Sequence, residues 1–240
     1  MPSVKNVVKI FNNTMNEKIK KIKQFAEKCL KQDACSAHNM DHVMRVYNLA
    51  MKIAKKEKVD KEVIQAAVLL HDIGGPKERN DHTGKVDHAA ESAKMAKPLL
   101  KELGYSDKKI KQILDCIMSH RYRSNNRPKT KEAKIVFDAD KLETVGAIGI
   151  ARGFVWVGKN NAHIYRKVEI EKYSKENLGG KINGRIKDKT KHSPHLNWET
   201  KDKYILKYLY TKKAKEIARE RMKFLENFLN KLEREIKGNE

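Results

Sequence analysis

Apolar residues recur at three- and four-residue steps along most of the chain, a period that predicts helices nearly throughout. Residues 15 to 31 place Ile19, Ile22, Phe25, Ala26, Cys29 and Leu30 on one face, with Lys and Glu opposite. Residues 41 to 56 repeat the pattern with Val43, Val46, Tyr47, Leu49, Ala50, Ile53 and Ala54. Asp60 is the expected N-cap of a third helix, DKEVIQAAVLLHDIG, which Gly74, Gly75 and Pro76 must end. From Ala66 to Ile73 that helix is apolar nearly all round, so it should lie in the middle of the fold.

Residues 77 to 87 predict a polar loop, after which Asp87 or a neighbour opens a helix through Leu103 that Gly104 closes. Ser106 caps another, reaching about His120, and RYRSNNRPK follows as a loop. Thr130 is the next cap, for an apolar helix running to about Trp156; its Gly146, Gly149 and Gly153 permit close packing or hide a break. Residues 159 to 197 lose the periodic signal and carry ten Lys or Arg against four Asp or Glu up to Lys191, which predicts a long basic loop over the mouth of a site. A last helix, about Thr200 to Ile236, carries Leu206, Tyr210, Ala214, Ile217, Phe224, Phe228 and Leu232 and should pack back on the bundle. The expected organisation is one all-α domain over 1–240: a core of about 15–158, an insertion at 159–197 and a C-terminal helix in 198–240.

Composition narrows the class. No apolar run approaches the roughly 20 residues that cross a bilayer, and the N-terminus lacks a secretory pattern. Three cysteines (Cys29, Cys35, Cys116) without CxxC spacing argue against a disulfide framework, and a cytoplasmic location is expected. Formal net charge is +22, from 53 Lys+Arg against 31 Asp+Glu. That excess can attract nucleic acid, but it is spread along the chain and interleaved with acids, as in Lys213/Glu216/Glu220, so a solvated surface is the preferred reading. A homodimer through the last helix is the oligomer the pattern allows.

Three clusters carry candidate chemistry. His71-Asp72 ends the most apolar helix, where a carboxylate is costly unless a cation compensates it or the pair caps the helix. His38 and His42 share a face if the helix has begun by His38. Asp138 and Asp140 follow the apolar Ile135-Val136-Phe137, and Lys141 can answer part of their charge.

In order, His42-x-x-x-Val46, His71-Asp72-Ile73-Gly74 and Ala139-Asp140-Lys141-Leu142 resemble the H…HD…D signature of HD-superfamily phosphohydrolases. HNMDHVMRV and DADKLETVGAIGIAR are similar to stretches of small bacterial and archaeal HD hydrolases, and the resemblance spans about residues 25 to 155. It implies an HD-type helical bundle in which His42, His71, Asp72 and Asp140 hold one divalent ion (Mn, Fe, Co, Ni or Zn, with Mg a further candidate). His38, Asp138 and Glu143 then support that set, and Asp72 is the expected proton acceptor. His88 and His120 fall where two-metal branches place further ligands; a second ion or a substrate phosphate are the two roles weighed for them.

Lys77, Arg121, Arg123 and Lys141 are the phosphate-binding candidates, each next to a motif residue. His82, His163, His192 and His195 read as surface histidines. The implied activity is phosphohydrolysis by a metal-activated water, on a phosphomonoester or pyrophosphate bond of a nucleotide. The alternative is a non-catalytic, metal-stabilised helical domain that binds nucleotide or RNA.

Overall fold

Short polar side chains start most of the helices, each accepting from backbone amides that have no partner within the first turn. Asn16 accepts from Ile19 N (2.9 Å) and opens α1, Glu17–Leu30; Asn39 accepts from Asp41 N (3.1 Å) and His42 N (3.3 Å) and opens α2, Met40–Ala54. Asp60 caps α3, Lys61–Leu70, as its position in the sequence implied. Asp87 caps α5, His88–Glu102, and Ser106 caps α6, Asp107–Ser119. The computed structural model describes residues 16–31, 39–121 and 126–239, and every regular element among them is a helix.

The chain divides into two compact units, Met1–Phe137 and Asp138–Glu240. In the first, α3 is the central element. Val63, Ile64, Ala66, Ala67, Val68, Leu69 and Leu70 are all fully buried, and α1, α2, α5 and α6 pack around them. Burial of each large aliphatic side chain stabilises by about 1.5–3 kcal/mol, which fixes α3 as the frame from which the residues after it project. The segment expected as a loop from 77 is in part helical: α4, Gly75–Asn80, begins directly after the Gly74 turn with Pro76 in its first turn.

The boundary between units falls within α7, Lys131–Lys141. The single helix expected up to Trp156 is broken. A 3₁₀ turn at Leu142–Thr144 and an extended Val145 separate α7 from α8, Gly146–Lys159. Gly146 makes the break: its φ is +79°, and a Cβ there would stand 2.9 Å from Cγ of Arg221.

The basic insertion has more order than its composition indicates. It contains α9, Ile170–Asn177, and is followed by α10, Pro194–Thr200. Tyr173, Leu178 and Leu196 form a small apolar core with Val168, Ile170 and Ile186 against it. Asn177 pins the intervening loop by donating to Asp188 O (2.9 Å) and accepting from Asp188 N (2.7 Å).

The C-terminal helix begins later than expected, as α11, Lys212–Ile236, after a 3₁₀ segment at Asp202–Lys207. It packs on α8 through Ala214, Ile217, Ala218, Leu225 and Leu229. Phe224, expected in that stripe, is 55% exposed, because a 3.6-residue period carries the buried line through Leu225 instead. Among the described residues no helix is long and apolar enough to cross a membrane, and Cys29 and Cys116 are free.

Candidate metal centre

Helix ends in the first unit deliver five side chains to one place. His42 lies in the first turn of α2, His71 is the C-cap of α3, and Asp72 follows it in the turn. His88 is the first residue of α5, and His120 is the C-cap of α6. His42, His71, Asp72 and His120 are all buried.

The turn that carries Asp72 is held against α5 by a close approach. Gly74 N donates to Ser92 Oγ (2.9 Å), and a Cβ on Gly74 would fall 2.6 Å from Ser92 N and 2.7 Å from His88 O. Only glycine lets the backbone come so near, and this contact sets His88 beside Asp72.

Asp72 is the common member of two groups. Its Oδ2 lies 3.7 Å from Nε2 of His42 and 3.7 Å from Nε2 of His71, and those two nitrogens are 3.4 Å apart. Its Oδ1 lies 3.6 Å from Nε2 of His88 and 3.7 Å from Nε2 of His120, and these nitrogens are 3.1 Å apart. Each carboxylate oxygen thus faces its own pair of imidazoles.

The far side of three rings fixes their tautomers. His71 Nδ1 donates to Val68 O (2.7 Å), and His120 Nδ1 donates to Ile117 O (2.5 Å), in both cases the carbonyl three residues earlier in the helix. His88 Nδ1 donates to Glu78 Oε2 (2.7 Å). With the ring proton held at Nδ1, Nε2 presents a lone pair, so acceptor atoms converge on acceptor atoms and call for a cation between them. Bonds of about 2.0–2.2 Å from one ion to imidazole and carboxylate imply ligand–ligand spacings of about 3–3.5 Å, close to those here. The groups His42-His71-Asp72 and Asp72-His88-His120 both have the donor set and spacing to hold a metal ion.

Burial pushes the Asp72 carboxyl up, but His71, His120, His88 and His42 outweigh it and hold the group well below the usual carboxylate range. Burial also opposes a charge on His88; Glu78 and Asp72 nevertheless raise it above the ordinary imidazole value, with Arg121 working against them.

Of the other sequence candidates, Asp140 belongs to the second unit, where Oδ2 pairs with Lys141 Nζ at 2.7 Å. Asp138 anchors α11 by accepting from Tyr210 N (2.9 Å), Thr211 N (2.7 Å) and Thr211 Oγ1 (2.7 Å). Glu143 is buried with Arg152 Nη1 3.9 Å from its Oε2. Lys77 pairs with Glu91, and Arg121 pairs with Glu78 and Asp87. His38 and Arg123 lie outside the described residues.

Sequence reasoning did not foresee Glu78 as the partner of His88, nor Ser92 as the tether of Gly74. The one available signal for Ser92 was its place four residues after His88, on the same helical face. His192, expected at the surface, is 4% exposed, with Nδ1 2.7 Å from Tyr173 Oη and its ring edge-on to Trp156.

Residues 39–145 match the HD-domain family model. The match makes this segment, which carries the His/Asp cluster, similar to an HD domain. YpgQ of Bacillus subtilis (strain 168) is 28% identical over 210 residues, covering 86% of this chain and 88% of YpgQ. A solved HD-superfamily hydrolase from Bacillus thuringiensis superposes with a TM-score of 0.66 at 26% identity, over 92% of this chain and 97% of its own. The structure of B. subtilis YpgQ in complex with ADP superposes with a TM-score of 0.66 at 23% identity, over 92% of this chain and 100% of its own. Within the matched residues the His71-Asp72 pair stands where the four imidazoles meet.

Proposed function

We propose that this HD-domain protein is a divalent-metal-dependent phosphohydrolase that cleaves a phosphomonoester or pyrophosphate bond of a nucleotide. One observation carries the reading: a buried carboxylate, Asp72, whose two oxygens face two separate pairs of imidazole Nε2 atoms. A structural histidine cluster needs no such convergence of acceptors. His42, His71 and Asp72 would hold the principal ion. Their mixed nitrogen and oxygen donors favour Mn, Fe, Co, Ni or Zn over Mg.

A divalent ion bound there supplies Lewis acidity toward a phosphoryl oxygen and toward water. The chain's own part is to place and hold. Asp72, kept ionised by its histidine neighbours, accepts a hydrogen bond from the attacking water and orients it. His88 and His120 direct Nε2 into the same space, where as lone pairs they bind a second, weaker ion or, once protonated, donate to the substrate phosphate. Water attacks phosphorus, the P–O bond to the leaving group breaks, and the leaving oxygen takes up a proton. YpgQ's complex with ADP supports a nucleotide as the substrate class.

Release of phosphate and pyrophosphate from a panel of nucleotides, with Mn, Co, Ni and Mg each added, is the direct assay. Turnover that needs a transition ion and is lost in Asp72→Ala is expected. A wild-type protein that binds nucleotide but turns over none with any metal would instead be a binding domain. Unchanged turnover in Asp72→Ala would remove this site from the reaction.

A further inference from the structure

The residue after His120 is an arginine whose guanidinium is already engaged. Arg121 Nη2 bonds Glu78 Oε1 at 2.9 Å, and Nη1 bonds Asp87 Oδ2. Each of those carboxylates has a second task. Glu78 uses its other oxygen, Oε2, to accept the Nδ1 proton of His88 (2.7 Å). Asp87 uses its other oxygen, Oδ1, to accept from Ala89 N (2.9 Å) and Ala90 N (3.1 Å), which starts the helix whose first residue is His88. The same guanidinium therefore fixes the backbone from which His88 springs and the acceptor that sets its ring.

We propose that Arg121 is a positioning residue rather than a phosphate clamp: by bridging Glu78 and Asp87 it holds the Nδ1 proton of His88 in place and so keeps Nε2 of that ring a lone pair directed at Asp72 and His120. The proposal rests on the reading of the site as a phosphohydrolase centre only for its consequence in catalysis. Its geometry stands without it. A bidentate arginine matches two carboxylates as a planar fork, and a lysine offers only a point charge. Two carboxylates also offset the guanidinium charge, which leaves it a poor attractor of a phosphate compared with an unpaired one.

A histidine side chain free in water favours the Nε2–H form, so the tautomer of His88 reports the clamp directly. The ring is observed by ¹⁵N-resolved spectra of metal-free protein at a pH well above the imidazole range, with the signals assigned through His88→Gln. Wild type is expected to carry the His88 proton on Nδ1. Arg121→Gln should shift the majority to Nε2–H. Arg121→Lys, which can still hold Glu78, should restore Nδ1–H at least in part. Glu78→Ala removes the acceptor itself, leaves the cap of α5 in place, and must give the same shift as Arg121→Gln; it carries the test if Arg121→Gln does not fold.

Mn²⁺ titration adds a second readout. In Arg121→Gln the affinity of any ion using His88 should fall by about 10-fold or more, with the ion at His42-His71-Asp72 little changed. A wild-type Nδ1–H tautomer that persists in both Arg121→Gln and Glu78→Ala would overturn the proposal. Weaker binding of inorganic phosphate or ADP with that tautomer intact would make Arg121 a phosphate ligand after all. A single bound ion in wild type would count against the second-ion reading of His88 and His120 and leave the tautomer result untouched.

Discussion

Asp72 and Asp202 are both carboxylates buried to within a few per cent of complete exclusion from water, and their neighbours give them opposite character. Around Asp72 the four imidazoles outweigh desolvation and keep it ionised, which is what a cation ligand requires. Mn²⁺ added to metal-free protein should therefore raise the unfolding temperature, by the equivalent of about 2.7 kcal/mol when free Mn²⁺ is 100 times its Kd. Asp72→Asn should lose most of that response in the same thermal melt. Asp202 is the reverse case: burial pushes it up to about 6 from 3.8, and Lys201, Asn197, Thr144 and Arg152 only partly offset the effect. A raised carboxyl is protonated in the folded protein before it is in the unfolded chain. Its contribution to stability is complete below about pH 4 and is lost as pH rises through about 6. Denaturant titrations should find Asp202→Asn more stable than wild type near pH 7.5, by up to roughly 3 kcal/mol, with the difference vanishing at acid pH.

At the scale of elements, the site is an arrangement of helix ends. α3 and α6 both finish on a histidine that bonds back to the carbonyl three residues earlier, and α5 begins on one, so two rings are oriented by backbone carbonyls and the third by the Glu78 carboxylate. The turn between α3 and α4 reaches them because Gly74 touches α5 without a side chain. Gly74→Ala should destabilise by about 1–3 kcal/mol in urea unfolding and weaken Mn²⁺ binding together with it, since relieving the contact moves Asp72 away from His88. Much at this scale was legible beforehand. Asp60 and Ser106 announced their caps, the sequence placed the cap of α5 at Asp87 or a neighbour, and the unbroken apolar run of α3 announced the centre of the first unit. The break at Gly146 was not legible, because glycine inside an apolar run reads equally as close packing or as a turn until its φ is known.

Across the whole molecule, part of the positive charge is partnered at the surface: Lys20–Glu17, Lys111–Asp115, Lys213–Glu216 and Lys237–Glu233 are ion pairs at helical spacing. Exposed pairs of this kind stabilise little, and the net charge of +22 is the basic excess that remains after every acid is counted. The amino-acid sequence by itself determined the all-helical class, because apolar period and capping residues act within a few positions of one another. It also determined that His71-Asp72 needed a cation or a cap, because the cost of burying a carboxylate follows from the apolar residues beside it. Only the tertiary structure decided that Asp72 faces two imidazole pairs, that Glu78 and Arg121 serve His88, and that His192 is buried. Those facts depend on contacts between residues far apart in the chain, and no local pattern encodes which oxygen of a carboxylate meets which ring.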